Sequence, residues 1–242
     1  MNLSVVLPAY NEGRNIVALC RRLHHTLGQL QIPHELIVIV QGDDGSYAAL
    51  QQLQPQMPML RAWHFPEPLG VARAFQEGFD RIAPEATHVL TMDADLNHQP
   101  EELPRFLETL ERGCDIVIGS RYIAGGRIER MPAWKQALSR WMNHLFSALT
   151  PLRVADKTSG YRLQRRIVVE DVRHRVRAKN FDFYVEYLIH AMEAGYAMRE
   201  VPITFLARVD GESKMRIPDT CYRYLRLILW TLCHRRNGRR RA

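Results

Sequence analysis

Through the first half of the chain, short apolar runs alternate with segments of helical period, and that alternation leaves few folds open. Ser4–Pro8 is an apolar run ended by proline, and Asn15–Leu30 then places Ile16, Leu19, Leu23, Leu27 and Leu30 at steps of three and four. Glu35–Val40 is a β-branched run and Leu60–Phe65 a weaker one, followed by Gly70–Ile82 with Val71, Phe75, Phe79 and Ile82 in phase. His88–Met92, Glu101–Arg112 and Asp115–Gly119 continue the series as strand, helix and strand. A period of 3.6 between β-branched runs predicts crossover helices joining parallel strands. The expected class is therefore α/β, a Rossmann-like, mostly parallel sheet flanked by helices. In such sheets ligands lie outside the carboxyl ends of the strands. The polar clusters of this sequence stand there: Tyr10-Asn11-Glu12, Asp43-Asp44, Asp93-Ala94-Asp95 and Ser120-Arg121.

The second half is less regular. Trp134–Leu149 and Phe183–Ala194 read as helices, Asp156–Arg162 as a polar loop, and Val201–Leu206 as a strand leading into the loop Val209–Arg216. After Pro218 a last helix is expected, amphipathic, with Tyr222, Leu225, Leu229 and Leu232 on one side and an arginine-rich tail behind it. The division expected is a body over 1–217 and an amphipathic helix with a basic tail over 218–242. With 242 residues and 46% hydrophobic content the chain can bury a sizeable core, which excludes a disordered or disulfide-stapled class. Its formal charge of +7 suits an anionic partner without choosing one. Cys20, Cys114, Cys221 and Cys233 form no CxxC pair, so they read as reduced thiols of a cytosolic protein. Neither a signal peptide nor an apolar run of the ~18 residues that span a bilayer is evident.

The chemistry concentrates in Thr91-Met92-Asp93-Ala94-Asp95-Leu96-Asn97-His98. Two carboxylates at a strand end offer hard oxygen ligands for Mg²⁺ or Mn²⁺ shared with substrate phosphates. An Asp-rich surface turn is the alternative for that motif alone. His98 could reach a metal or be a loop histidine without a role. Glu186 could be a site carboxylate or hold a neighbouring arginine, and Tyr161 could wall a channel or simply pack. Arg165-Arg166 and the 173–179 stretch read as a solvated basic face.

Five motifs in order carry a resemblance. They are Val-Val-Leu-Pro-Ala-Tyr-Asn-Glu at the start, Asp93-Ala94-Asp95, Ser120-Arg121-Tyr122, Asp156-Lys157-Thr158-Ser159-Gly160-Tyr161-Arg162, and Arg208-Val-Asp-Gly-Glu-Ser-Lys214. From about Leu3 to Met215 the chain resembles the family 2 glycosyltransferases with the GT-A fold, in their dolichol- or polyprenol-phosphate mannose synthase branch. The resemblance implies that Pro8, Tyr10 and Glu12 line the nucleotide base and ribose. It makes Asp93 and Asp95 the acids for metal and diphosphate, with Ala94 against the nucleotide. Asn97 falls where the family carries Gln, and still offers a carbonyl oxygen to the metal. Arg121 would face the phosphates, Arg140 would hold the acceptor phosphate, and Arg208 and Lys214 would close over the donor. Asp95, Arg121 and Arg140 are thus the expected catalytic residues. One departure stands out: the family has an Asp-Asp-Gly-Ser-like run directly after the second strand, its acid on the base. Here Val40-Gln41-Gly42 precedes Asp43-Asp44-Gly45-Ser46, so either two residues are inserted or Val40 or Gln41 replaces the acid.

The expected reaction moves a hexose, mannose from GDP-mannose first, from a nucleotide sugar to a polyprenyl phosphate, with inversion and with Mg²⁺ or Mn²⁺. The alternative is another donor such as UDP-glucose, or a glycan acceptor that is not a lipid. A phosphate acceptor is largely dianionic near neutrality, its second pKa being roughly 6, so it needs cations rather than a general base. Arginine, whose planar fork grips phosphate in two places, suits that task. The expected setting is cytoplasmic, peripheral on the cytosolic face of a membrane, with the basic C-terminal helix on an anionic surface. A nucleic-acid partner is not expected, because it would leave the acid pair unexplained.

Overall fold

The computed structural model describes residues 1–150, 152–207 and 223–231. Strands β1 (Leu3–Tyr10), β2 (His34–Gln41), β3 (Leu60–Phe65) and β4 (His88–Thr91) alternate with helices α1 (Gly13–Gln29), α2 (Ser46–Leu53) and α3 (Val71–Phe79). Then follow α4 (Leu103–Glu111), β5 (Ile116–Ser120), β6 (Arg127–Glu129), α5 (Ala133–Leu149), β7 (Arg162–Arg165) and α6 (Arg166–Val172). The series ends with α7 (Asp182–Glu193), β8 (Met198–Pro202) and β9 (Thr204–Leu206), and residues 223–231 form one more helix. Seven strands make the main sheet in the order β3-β2-β1-β4-β7-β5-β8, and β6 pairs with β9 beside it. Only β7 runs against its neighbours β4 and β5; the other pairings are parallel.

Side chains of successive strand residues point to opposite faces, and both faces of this sheet are covered. On β2, Leu36, Val38 and Val40 enter the core shared with α1, α2 and α4. Ile37 and Ile39 enter the other core, with α3, α5, α6 and α7. Each such side chain contributes about 1.5–3 kcal/mol by leaving water, which explains why the inner strands read as continuous apolar runs. Helix α3 lies so close on β1 that a Cβ at Gly78 would stand 2.3 Å from Val6 Cγ1.

The chain winds from β1 through β2 to β3, then returns to the other side of β1 as β4. The order of strands therefore reverses between β1 and β4, and that is where an open α/β sheet forms its ligand crevice. The expected strand over 201–206 is two strands, broken at Ile203, whose N–H goes to the Ser120 carbonyl. Of the residues expected to be solvated basic surface, Arg165 and Arg166 stand where β7 passes into α6, and none of them or of residues 173–179 is buried. No described helix is long and apolar enough to cross a membrane. In the 223–231 helix Tyr224, Leu227 and Ile228 join the second core, while Leu225 and Leu229 are exposed. Tyr222, Leu232 and the arginine tail lie outside the described residues.

Candidate active site

β1 and β4 stay paired only over Leu3–Val6 and His88–Thr91, with a last long link from Met92 N to the Val6 carbonyl at 3.4 Å. Beyond it the strands part. Pro8, which can donate no ladder hydrogen bond, sits in the part of β1 that has left β4 and follows β2 alone. On the far side, Thr91 Oγ1 donates to the Gly160 carbonyl at 2.8 Å, fastening the loop before β7 to the end of β4. The crevice so formed holds Asp93, Ala94 and Asp95 immediately after β4.

The acid turn is held from several sides. Asp95 accepts the Asn97 backbone N–H at 3.1 Å and the Asn97 side-chain amide at 2.7 Å. Leu96 between them takes a positive φ of 63°, a conformation that costs a branched side chain energy and collects at functional sites. Asp93 accepts a hydrogen bond from the Tyr184 hydroxyl of α7 at 2.8 Å. A Cβ at Gly160 would stand 2.7 Å from Asp93 Oδ1, so that carboxylate occupies space only a glycine leaves. Ala94 is buried beside them.

Two buried atoms next to this turn make no hydrogen bond, Asn97 Oδ1 and His98 Nδ1. The nearest approach of His98 Nδ1 to Asp93 Oδ2 is 3.8 Å, too long for a bond. Burial pushes the His98 imidazole down to about 4, against the opposing charge of Asp95, so it is neutral at physiological pH. Its ring packs against Tyr161 and Phe205. Two carboxylates and an unsatisfied amide oxygen make an oxygen donor set that fits a hard divalent cation, with the remaining ligands left to phosphate and water. Among the described residues no three His, Cys, Asp or Glu side chains form such a set by themselves.

Arg121 follows β5 and is tied edge-on to Asp156, Nε to Oδ2 at 2.6 Å and Nη2 to Oδ1 at 2.7 Å. Its Nη2 also reaches Thr158 Oγ1 at 2.7 Å, and its backbone N–H donates to Asp156 Oδ2 at 3.1 Å. The guanidinium lies over the Tyr122 and Phe205 rings. Burial alone would raise the pKa of Asp156, but the Arg121 charge and its hydrogen bonds hold it below the usual range. Arg140 is exposed on α5. The neighbouring Ser139 hydroxyl bonds the Tyr122 hydroxyl at 2.6 Å, which fixes α5 against the segment that carries Arg121. Arg208 and Lys214 lie outside the described residues.

At the other end of the crevice the strand tips of β1 and β2 meet at the Tyr10–Gln41 pair. Gln41 closes β2, so it takes the strand-end place where an acid was expected. The two acids after it do other work: Asp43 pairs with His64 at 3.0 Å, and Asp44 accepts the Ser46 and Gly13 backbone N–H groups at the starts of α2 and α1. Glu12 is buried at the N-cap of α1 and Tyr10 is partly exposed. Glu186, one of the open candidates, accepts the backbone N–H groups of Arg177 and Ala178, a structural role. Tyr161 is a packed aromatic, its ring 4.2 Å from Phe106. Sequence reasoning missed Tyr184 and the partnership of Asp156 with Arg121. The second was within reach, since Asp156 heads one of the ordered motifs.

The glycosyl transferase family 2 profile matches residues 4–173. A curated relative, the polyprenol monophosphomannose synthase of Mycolicibacterium smegmatis, is 36% identical over 214 residues, covering 87% of this chain and 80% of that protein. The dolichol-phosphate mannosyltransferase of Pyrococcus furiosus is 33% identical over 232 residues, covering 94% of this chain and 63% of its own length. Among solved structures, a mannosyltransferase from Pyrobaculum calidifontis in complex with GDP-Man and Mn²⁺ superposes with a TM-score of 0.59 at 17% identity, over 88% of this chain and 58% of that one. The likeness to that structure is one of fold, and the expected GT-A arrangement, a mostly parallel sheet with helices on both faces, is the one observed. By profile and by relatives alike, the chain belongs to glycosyl transferase family 2.

Proposed function

We propose that this glycosyltransferase moves mannose from GDP-mannose to a polyprenyl phosphate at a membrane surface. The observation that carries the reading is the Asp93–Asn97 turn at the topological switch point, with its buried, unsatisfied amide oxygen. The names of the two curated relatives support the sugar and the acceptor. In the proposed reaction a phosphate oxygen of the acceptor attacks the anomeric carbon as the bond to the donor's diphosphate breaks. GDP leaves with the electron pair and the configuration inverts. The acceptor phosphate is already ionised, so no side chain has to remove a proton. Asp93, Asp95 and the Asn97 amide oxygen would hold Mg²⁺ or Mn²⁺, which neutralises charge building on the leaving diphosphate. Tyr184 and Gly160 orient Asp93, and Asp156 orients Arg121. Arg140, exposed on α5, is the cation assigned to the acceptor phosphate.

Two features support contact with a bilayer. Helix α5 exposes Trp134 and Trp141, seven residues apart and so on one face, near Lys135 and Arg140. The 223–231 helix exposes Leu225 and Leu229. Amphipathic helices with aromatic and basic residues in this pattern lie in membrane interfaces. The cytosolic face is part of this reading. The test is incubation with a short polyprenyl phosphate, a divalent metal and GDP- and UDP-sugars, with products read by mass spectrometry. A mannosyl phospholipid from GDP-mannose is expected, and Asp95→Asn should remove it while the melting temperature holds. Donor consumption with no lipid product would move the acceptor to a glycan; full activity of Asp95→Asn would overturn the metal assignment.

A further inference from the structure

The acid turn runs straight into a histidine with no part in the proposed reaction. His98 is 1% exposed, and its Nδ1 is a buried atom with no hydrogen-bond partner. Buried polar atoms are nearly always paired, so an exception calls for a partner gained elsewhere in the working cycle. The ring itself is well held. It packs on Tyr161, 5.4 Å between centroids, and makes an edge contact with Phe205 at 5.5 Å. Tyr161 is fully buried and its hydroxyl donates to the Gln99 carbonyl at 3.3 Å. The backbone just before His98 is pinned too, because the Asn97 carbonyl accepts the Leu206 N–H at 2.9 Å. The imidazole is therefore a fixed object, and what it faces decides its use.

Nδ1 faces Asp93, whose Oδ2 stands 3.8 Å away. An ionised carboxylate only accepts, so the nitrogen turned toward it carries its proton. A protonated nitrogen has no lone pair to give a metal, which excludes His98 Nδ1 as a ligand and leaves it a donor. The contact is about 1 Å longer than the N–H···O⁻ distance of a formed bond. Of the two groups Asp93 is the one with room to move: its side chain is 33% exposed, against 1% for His98. Its Oδ1 already takes the Tyr184 hydroxyl at 2.8 Å. Carboxylates that hold metals are themselves held by hydrogen bonds, and such bonds often tighten only when the ligand is in place.

We propose that His98 is a positioning residue for Asp93: when the cation binds, Asp93 turns and accepts the Nδ1–H on Oδ2, so that His98 and Tyr184 grip the carboxylate by its two oxygens. The histidine acts through Asp93 and touches neither cation nor substrate. The inference rests on the cation reading given above, and adds to it a donor that the acid pair alone does not supply.

The experiment titrates Mn²⁺ into the full chain and reads the free ion by electron paramagnetic resonance, for wild type, His98→Phe and His98→Asn. Phenylalanine keeps a ring between Tyr161 and Phe205 and removes the donor. Asparagine loses the ring but can set its amide NH₂ where Nδ1 stood. His98→Phe is expected to weaken Mn²⁺ by about tenfold or more, and His98→Asn to regain most of that affinity. A packing role predicts the reverse order, with phenylalanine harmless and asparagine damaging. That order, equal losses in both variants, or two variants that bind as wild type does, overturns the inference and leaves the cation reading intact. A second measurement needs no variant to fold: histidine ¹⁵N spectra of the wild-type chain with and without Mg²⁺. The His98 Nδ1–H is expected in both, its proton moving downfield when Mg²⁺ is added. A bare Nδ1, or a proton that does not move, overturns the inference alone. Failure of the wild-type chain to bind either cation overturns it together with the cation reading.

Discussion

Replacing Asp156 by Asn tests the account of Arg121 most directly. The wild-type carboxylate is fully buried and offers two acceptors to the Nε and Nη2 edge of a guanidinium that is itself only about a tenth exposed. Asparagine of the same shape offers one acceptor and one donor, so one of the two N–H groups of Arg121 meets an NH₂. It also leaves the arginine charge without its counter-ion. Removing one partner of a buried pair costs about 3–5 kcal/mol. For a chain of this size that is a fall in melting temperature of roughly 6–20 °C, at about 2–4 °C per kcal/mol. The pH dependence has a definite sign. A carboxyl whose pKa is lower folded than unfolded contributes fully above its unfolded value, about 3.9, and loses that contribution as pH falls through the folded value. The gap between wild type and Asp156→Asn should therefore be the same at pH 7 and pH 5.5, and narrow only below pH ~4. Thermal melts across that range are the assay. A variant as stable as wild type at pH 7, or a gap that persists undiminished in acid, would refute the buried-pair argument.

Further outcomes follow from other contacts. Gly160→Ala puts a Cβ 2.7 Å from Asp93 Oδ1 and should turn that carboxylate away, weakening Mn²⁺ binding by about 10–100-fold with little change in circular dichroism. Tyr184→Phe removes the 2.8 Å hydrogen bond to Asp93 and should weaken Mn²⁺ in the same sense, by calorimetry, while the packed ring keeps α7 in place. Arg140→Ala should raise the acceptor KM without moving the melting temperature, since the side chain is exposed; an unchanged KM would remove it from the acceptor site.

Much of the sheet could be read from residue order because its inner strands are apolar on both faces and its helices are amphipathic. Leu36 through Val40 and the 3.6-residue phase of α1 leave little room for another assignment. The part that escaped was decided by tertiary context. Strand β7 is Arg-Leu-Gln-Arg, four residues with no period to detect, and it enters the sheet with Arg162 buried. That arginine is tolerated because its guanidinium donates to the Ser159, Lys157 and Tyr184 carbonyls and lies on the Tyr184 and Tyr187 rings. None of those partners adjoins it along a helix or strand in a way that a pattern could reveal. The cost of desolvating the charge shows in a pKa pushed down by burial to about 10. Lys157 repeats the device on a smaller scale, buried with its ammonium on the Ser147 hydroxyl and the Val154 carbonyl.

The acid turn was equally legible as a position, and its meaning came from what surrounds it. Asp93-Ala94-Asp95 alone describes many surface turns. What distinguishes it here is two long-range contacts, Tyr184 from α7 and Gly160 from the loop before β7, together with the local fold of Asn97 back onto Asp95. The same distinction separates the two arginines expected at the phosphates. Arg121 has spent two of its N–H groups and most of its net charge on Asp156, so its value to the site is direction: a guanidinium held in one orientation by a fixed counter-ion. A site that must bring a diphosphate and a phosphate monoester together needs uncompensated positive charge as well. In the proposed reaction that demand would fall on an exposed side chain such as Arg140 and on a cation held by Asp93, Asp95 and Asn97. Direction from a buried pair and charge from mobile or bound cations are separate requirements, and the proposed reaction assigns them to separate groups.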